Sequence, residues 1–187
     1  MDAALEIFGE HGLAGARLED IAHRAGVSKG TIYLYFESKE ELFREVVRST
    51  VVAALEEGER RPRAATATAQ LLDFMRGFWA FVRTPAFSVI HRMIVDELHR
   101  FPDLLEFYSN EVILRAQRIV GAIVTRGVAS GEFRPIDPRV ASRMLGALFT
   151  TNAIWCSKRQ CLPHMRDKSE EEIFTELADF YLHALRP

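Results

Sequence analysis

From Ser28 to Tyr35 the chain gathers side chains that can hold phosphate oxygens and read base edges. Ser28 offers a hydroxyl that can cap a helix start, and Lys29 brings a positive charge to a phosphate. Gly30 removes bulk so that the backbone can approach, and Thr31 carries both a hydroxyl and a methyl. Tyr33, Leu34 and Tyr35 follow. The tyrosine hydroxyls can reach phosphate oxygens, and Leu34 can touch a thymine methyl. Ile32 and Phe36 are four apart and share the opposite, buried face. Lys39, just beyond, can pin the phosphate backbone again.

These groups work only if a short helix presents them outward from a compact base. Ala4, Ile7 and Phe8 share one face of a first helix, which His11-Gly12-Leu13 ends, with Gly12 free to take positive φ. A second helix begins at Leu18-Glu19-Asp20-Ile21-Ala22 and stops at Gly26. Ala25-Gly26-Val27 then turns into the helix that starts at Ser28. Two short helices with this turn have the form of a helix-turn-helix, whose second member enters the DNA major groove N-terminus first. Ser38-Lys39-Glu40-Glu41 has capping-box spacing and predicts a fourth helix carrying Leu42, Phe43, Val46 and Val47 to about Glu57.

On these residues the chain resembles the TetR family of transcriptional regulators. The match runs from Ala3 to about Val47, through Ile21-Ala22 and Ala25-Gly26-Val27-Ser28 to Lys29-Gly30-Thr31-Ile32-Tyr33-Leu34-Tyr35-Phe36 and Ser38-Lys39-Glu40. The resemblance implies that Lys29, Gly30, Thr31, Tyr33, Leu34 and Tyr35 occupy DNA-contact positions and Lys39 a phosphate-contact position. It also implies an all-α dimer whose larger C-terminal domain binds an inducer. Two departures stand out. Ala16 and Arg17 replace the hydroxyl residues common before the second helix, so the cap is missing and Arg17 supplies a phosphate contact instead. By this alignment the chain begins inside the first helix, and no minor-groove contact from a preceding basic arm is assigned.

The stretch Gly58-Glu59-Arg60-Arg61-Pro62-Arg63 interrupts the apolar pattern. The expected division is a DNA-binding domain over 1–48 and a helical ligand-binding and dimerisation domain over 49–187. Helices are predicted over Leu71 to Val82, from Phe87 to Arg100, over one long span from Asp103 to Ala129, from Asp137-Pro138 onward, and from a Ser169/Glu172 capping box to Leu185. Met75, Phe78, Trp79, Met93, Phe107, Tyr108 and Trp155 are candidate pocket lining, against the alternative that each is core packing. Gln70, Arg76, His91, Arg92, Glu97, Asn110 and Asn152 are the possible polar handles. Gly146 and Ala147 permit close helix approach, and Phe149, Phe174, Leu177 and Tyr181 supply apolar area, so the last two helices are the candidate homodimer interface. The segments 97–108 and 131–134 also look like C-terminal segments of TetR-type regulators.

Composition bounds the rest. The 187 residues are 48% hydrophobic and 27% charged, with a formal net charge of −2, so any nucleic-acid contact must use a local patch rather than a global basic field. Neither an apolar run long enough to span a bilayer nor a signal-peptide pattern is present, which leads to a cytoplasmic expectation with no membrane partner. Catalysis lacks parts: the chain has no Gly-rich phosphate loop after a strand and no G-x-S-x-G elbow. His91 and His99 are spaced too far apart for a ligand pair on one helix, so no metal and no cofactor is expected. Cys156 and Cys161, with Lys158 and Arg159 to lower a thiol pKa, keep a redox-sensing regulator open. A helical protein-binding adaptor is the other alternative. The favoured expectation is a repressor released from double-stranded operator DNA when a small hydrophobic or amphipathic effector binds.

Overall fold

The computed structural model describes residues 1–158, 160 and 162–187, and among these it contains helices and no strand. Its helices are α1 (Asp2–Gly15), α2 (Leu18–Arg24), α3 (Lys29–Tyr35), α4 (Lys39–Val47), α5 (Ala53–Arg60), α6 (Ala67–Val82), α7 (Pro85–Asp96), α8 (Pro102–Tyr108), α9 (Leu114–Ala129), α10 (Pro138–Cys156), α11 (Pro163–Arg166) and α12 (Glu170–Leu185). Single π turns, Arg48–Val52 and Ser109–Ile113, join α4 to α5 and α8 to α9. The helix expected from Ser38 thus continues past Glu57, and the long span expected from Asp103 is helical with one wide turn inside it. At the first π turn Ser49 and Thr50 donate their hydroxyls to the Val46 carbonyl, at 3.2 and 2.6 Å, which offers the backbone an alternative to its regular ladder.

Five helix starts among the described residues follow their caps. Ser28, Ser38, Thr66, Asp137 and Ser169 each accept a backbone N–H at a helix N-terminus, and Ser169 with Glu172 forms the full reciprocal box. At α4 the box is displaced: the Glu41 carboxylate accepts from the Glu37 amide at 2.8 Å. Arg17 precedes α2 without a side-chain cap, as its residue type requires.

The chain packs as two compact units that do not follow the expected boundary at residue 48. One comprises Met1–Ala54 and Pro85–Ile113, the other Leu55–Thr84 and Leu114–Pro187. The difference has a packing cause, because α7 lies against α1 and α8 against α4. In the first unit Phe8 meets Phe43 edge to face at 6.2 Å, within a core that includes Ile7, Leu13, Ile21, Ile32, Val46, Ile90 and Met93. In the second, α9 packs on α6 and α10, and Phe149 is the hub, with Phe78, Trp79 and Phe174 rings at 6.2, 6.2 and 6.3 Å.

Candidate nucleic-acid interface and regulatory elements

Helix α3 is held by its neighbours and leaves one face bare. Gly26 at φ +69° reverses the chain after α2, and the Val27 amide returns to the Ala22 carbonyl at 3.0 Å. Ser28 Oγ accepts from the Thr31 amide at 3.1 Å and lies 2.8 Å from Thr31 Oγ1, so these two hydroxyls fix the start of the helix. Ile32 is buried and Phe36 half-buried beneath it. Outward, Leu34 is 83% exposed, Tyr35 73% and Tyr33 44%. Lys29 and Gly30 are exposed as well, and so is Arg17 at the entry to α2.

Electrostatics on this face centre on Glu19 of α2. Its carboxylate lies 2.8 Å from Lys29 Nζ and accepts the Tyr33 hydroxyl at 3.1 Å. Lys29, the residue's own backbone amide and Tyr33 together hold the carboxyl down at about 2, and the Lys29 ammonium is correspondingly raised. Lys29 and Tyr33 are therefore pre-positioned, and a phosphate that recruits them competes with Glu19. Sequence reasoning passed over Glu19, although its place at the start of α2 puts it beside the first turn of α3.

Lys39 has a different setting from the one expected. It is half-buried, and its ammonium donates to the carbonyls of Ala14 at 2.6 Å and Ala16 at 3.4 Å, which ties the end of α1 to the start of α4. One of its three N–H groups remains after these two bonds.

The candidate pocket residues fall in both units. Met93 and Tyr108 are buried in the core of the first, where burial pushes the Tyr108 phenol up to about 12. Phe107 is half-buried there, with the Arg44 and Arg48 guanidinium groups 5.9 and 5.2 Å from its ring centre. Met75 and Trp79 are buried in the second unit, Phe78 is half-buried, and Trp155 is 47% exposed with Lys158 over its ring. The Trp79 indole N–H is buried without an acceptor. A cavity of about 320 Å³ is lined by Arg83, Ala153, Cys156, Ser157, Gln160 and Glu170, none of them among those seven residues. Cys156 is a buried free thiol, whereas Cys161 and Arg159 lie outside the described residues.

Several polar candidates are engaged elsewhere. Arg76 pairs with Glu171 at 3.0 Å and covers the Phe174 ring, and Asn152 donates to the Leu148 carbonyl. His91 lies against the Phe87 ring, and Arg92 and Glu97 bind the backbone of α1. Of the expected interface residues, Phe149, Phe174, Leu177 and Tyr181 are buried within the second unit, where the Tyr181 hydroxyl donates to the Ala141 carbonyl at 2.6 Å. These four fill the subunit's own core. Ala147 is exposed on α10, in line with Val140, Met144 and Trp155, whereas Gly146 is half-exposed on another side of the helix. On α12 the large outward apolar group is Phe180, 68% exposed.

Known proteins resemble this chain over most of its length. Residues 1–46 match the family model described as bacterial regulatory proteins, tetR family, and residues 69–187 match the C-terminal domain of AefR-like transcriptional repressors. The fatty acid metabolism regulator protein of Bacillus subtilis is 31% identical over 169 residues, covering 86% of this chain and 83% of the relative. The HTH-type transcriptional repressor KstR2 of Mycolicibacterium smegmatis is 31% identical over 167 residues, 87% of this chain and 78% of that one. Among solved structures, Bacillus subtilis FadR in complex with stearoyl-CoA superposes with a TM-score of 0.70 at 22% identity, over 99% of this chain and 97% of that chain. Salmonella enterica GusR reaches 0.75 at 22% identity, over 98% and 92%. With both ends of the chain matched by family models and its length shared with these relatives, the protein belongs to the TetR family of DNA-binding transcriptional regulators.

Proposed function

We propose that the chain is a dimeric repressor that leaves its operator when an amphipathic effector, of which a fatty acyl-CoA thioester is the leading class, binds its C-terminal region. The observation that carries the DNA-binding part is the bare face of α3. A leucine and a tyrosine left at 83% and 73% exposure, on a helix whose Ile32 is buried, have no role in the subunit's own core. In the groove, Thr31, Leu34 and Tyr35 meet base edges. Lys29, Tyr33 and Arg17 take phosphates, with Ser28 and Gly30 shaping the helix start. Lys39 serves first as a tie and offers its remaining N–H to the backbone.

Two observations support the effector class. Bacillus subtilis FadR, which has this fold, was solved with stearoyl-CoA, and the chain's 31%-identical relative is named for fatty acid metabolism. The buried Trp79 N–H without an acceptor is the kind of group that a thioester or carboxyl oxygen satisfies on binding. Residues 49–187 would carry the effector and the dimer contact. The outward faces of α10 and α12, with Met144, Ala147, Trp155 and Phe180, would meet a second copy about a two-fold axis. Release is a population shift: the effector binds better to the conformer whose two α3 helices are mis-spaced for successive major grooves.

The test is a fluorescence anisotropy titration of the protein on duplex DNA from upstream of its own gene, followed by stearoyl-CoA, palmitoyl-CoA, free CoA and an aromatic control. Binding should fall steeply with salt, and long acyl-CoA should reverse it where free CoA does not. A complex indifferent to every acyl-CoA would overturn the effector class. No binding at any salt would leave the adaptor reading in its place.

A further inference from the structure

Helix α1 is broken near its end, and the break is repaired from α7. Gly12 takes φ +69° and ψ 178°, which turns the chain out of the helix and back into it within one residue. In an unbroken helix the Leu13 N–H would be given to the Gly9 carbonyl. Here those two groups find partners on α7 and on the residue that follows it. Glu97, one residue past α7, accepts the Leu13 amide at 3.0 Å and the Ala14 amide at 2.8 Å. Arg92 of α7 donates to the Gly9 carbonyl.

The fit is close at both ends. A Cβ at Gly9 would lie 3.3 Å from Val89, and one at Gly12 would run into the Glu97 carboxylate. Lys39 then takes the next carbonyls, Ala14 and Ala16, from the α4 side. The turn leading into α2 is thus held by a carboxylate on its amides and an ammonium on its carbonyls. Every one of these residues belongs to the first compact unit, yet α7 lies within the range matched by the C-terminal repressor domain.

We infer that Arg92 and Glu97 are positioning residues for operator binding: through the break in α1 they let α7 set the placement of the helix-turn-helix. The inference rests on the repressor reading above. Neither residue touches DNA in it, so their loss should leave the phosphate contacts of α3 intact while the two recognition helices lose their fixed spacing. Non-specific affinity, which is sequence-independent and set by phosphate contacts, should then survive, and operator preference should not.

The experiment compares Glu97→Ala, Glu97→Gln and Arg92→Ala with the wild-type dimer on two duplexes, the upstream DNA and a shuffled sequence of equal length. Amide hydrogen exchange at Leu13 and Ala14 is followed in parallel. The expected result is loss of operator preference by roughly tenfold in both alanine variants, toward the lower end of typical coupling between sites. Shuffled-DNA affinity should change by less than about twofold, since its phosphate contacts remain. Glu97→Gln keeps one acceptor oxygen and should recover part of the preference. Leu13 and Ala14 should exchange faster in Glu97→Ala. If that variant does not fold, Glu97→Gln carries the same comparison. Unchanged preference with faster exchange, or unchanged exchange, would overturn the inference. A wild-type protein with no preference for the upstream duplex would instead bring down the repressor reading beneath it.

Discussion

On the α3 face proposed to meet DNA, Glu19 is a built-in competitor. It neutralises Lys29 and takes the Tyr33 hydroxyl, so binding a phosphate at that point first displaces a carboxylate. Glu19→Ala should tighten non-specific DNA binding and steepen its salt dependence by about one unit in the log–log slope, the value of one added phosphate contact. Salt titrations of the two proteins on the shuffled duplex measure this, and an unchanged slope would show that Lys29 already contacts DNA in full. Leu34 is the complementary case. Because it is 83% exposed, Leu34→Ala should shift unfolding free energy by no more than about 0.5 kcal/mol, while lowering affinity for the operator and not for the shuffled duplex. Equal losses on both would place Leu34 outside the base contacts.

At the scale of elements, the start of α6 depends on a residue 65 positions away in the chain. The Glu132 carboxylate accepts the amides of Ala67 and Thr68 and the Thr68 hydroxyl, each at 2.9 Å, at the positive end of the helix. Those bonds hold its carboxyl at about 2, below the ordinary 4.5. Between these two values the unfolded chain binds more protons than the folded one, so stability rises with pH there. The contribution is fully present above about 4.5 and disappears as pH falls toward 2. Glu132→Gln should accordingly lower the thermal midpoint at neutral pH, and the gap from wild type should close as the buffer is taken down through that window. A gap that stays constant down to pH 2 would mean that charge at Glu132 is not what secures α6.

For the molecule as a whole, the second unit's core and its outward faces make separate demands on α10 and α12. Phe149 is fully buried among Phe78, Trp79 and Phe174, so Phe149→Ala should cost about 3–5 kcal/mol, read by denaturant unfolding at fixed protein concentration. Phe180 points away from that core. For the dimer proposed above, Phe180→Asp should leave the helical signal intact and give a monomer in light scattering, with operator binding lost because two half-sites are no longer read together. A Phe180→Asp protein that remains dimeric would move the interface off this face of α12.

Local rules carried a large part of this protein. The caps at Ser28, Ser38, Asp137 and Ser169, the positive-φ glycines 12, 26 and 131, and the apolar spacing of each helix are properties of neighbouring residues. So is the outward set on α3, because Ile32 and the residues beside it are separated by helical periodicity alone. Side-chain partners across long sequence separations are a different matter. Glu97 and Arg92 read as possible polar handles, and only the packing of α7 on α1 gave them their backbone partners; the tie from Lys39 to the end of α1 was equally out of view, and Phe149 and Phe174, expected at an interface, lie in the core. Helical period places a residue on a face. What covers that face is set by how the helices pack, and this packing also put α7 and α8 in the compact unit that holds the helix-turn-helix.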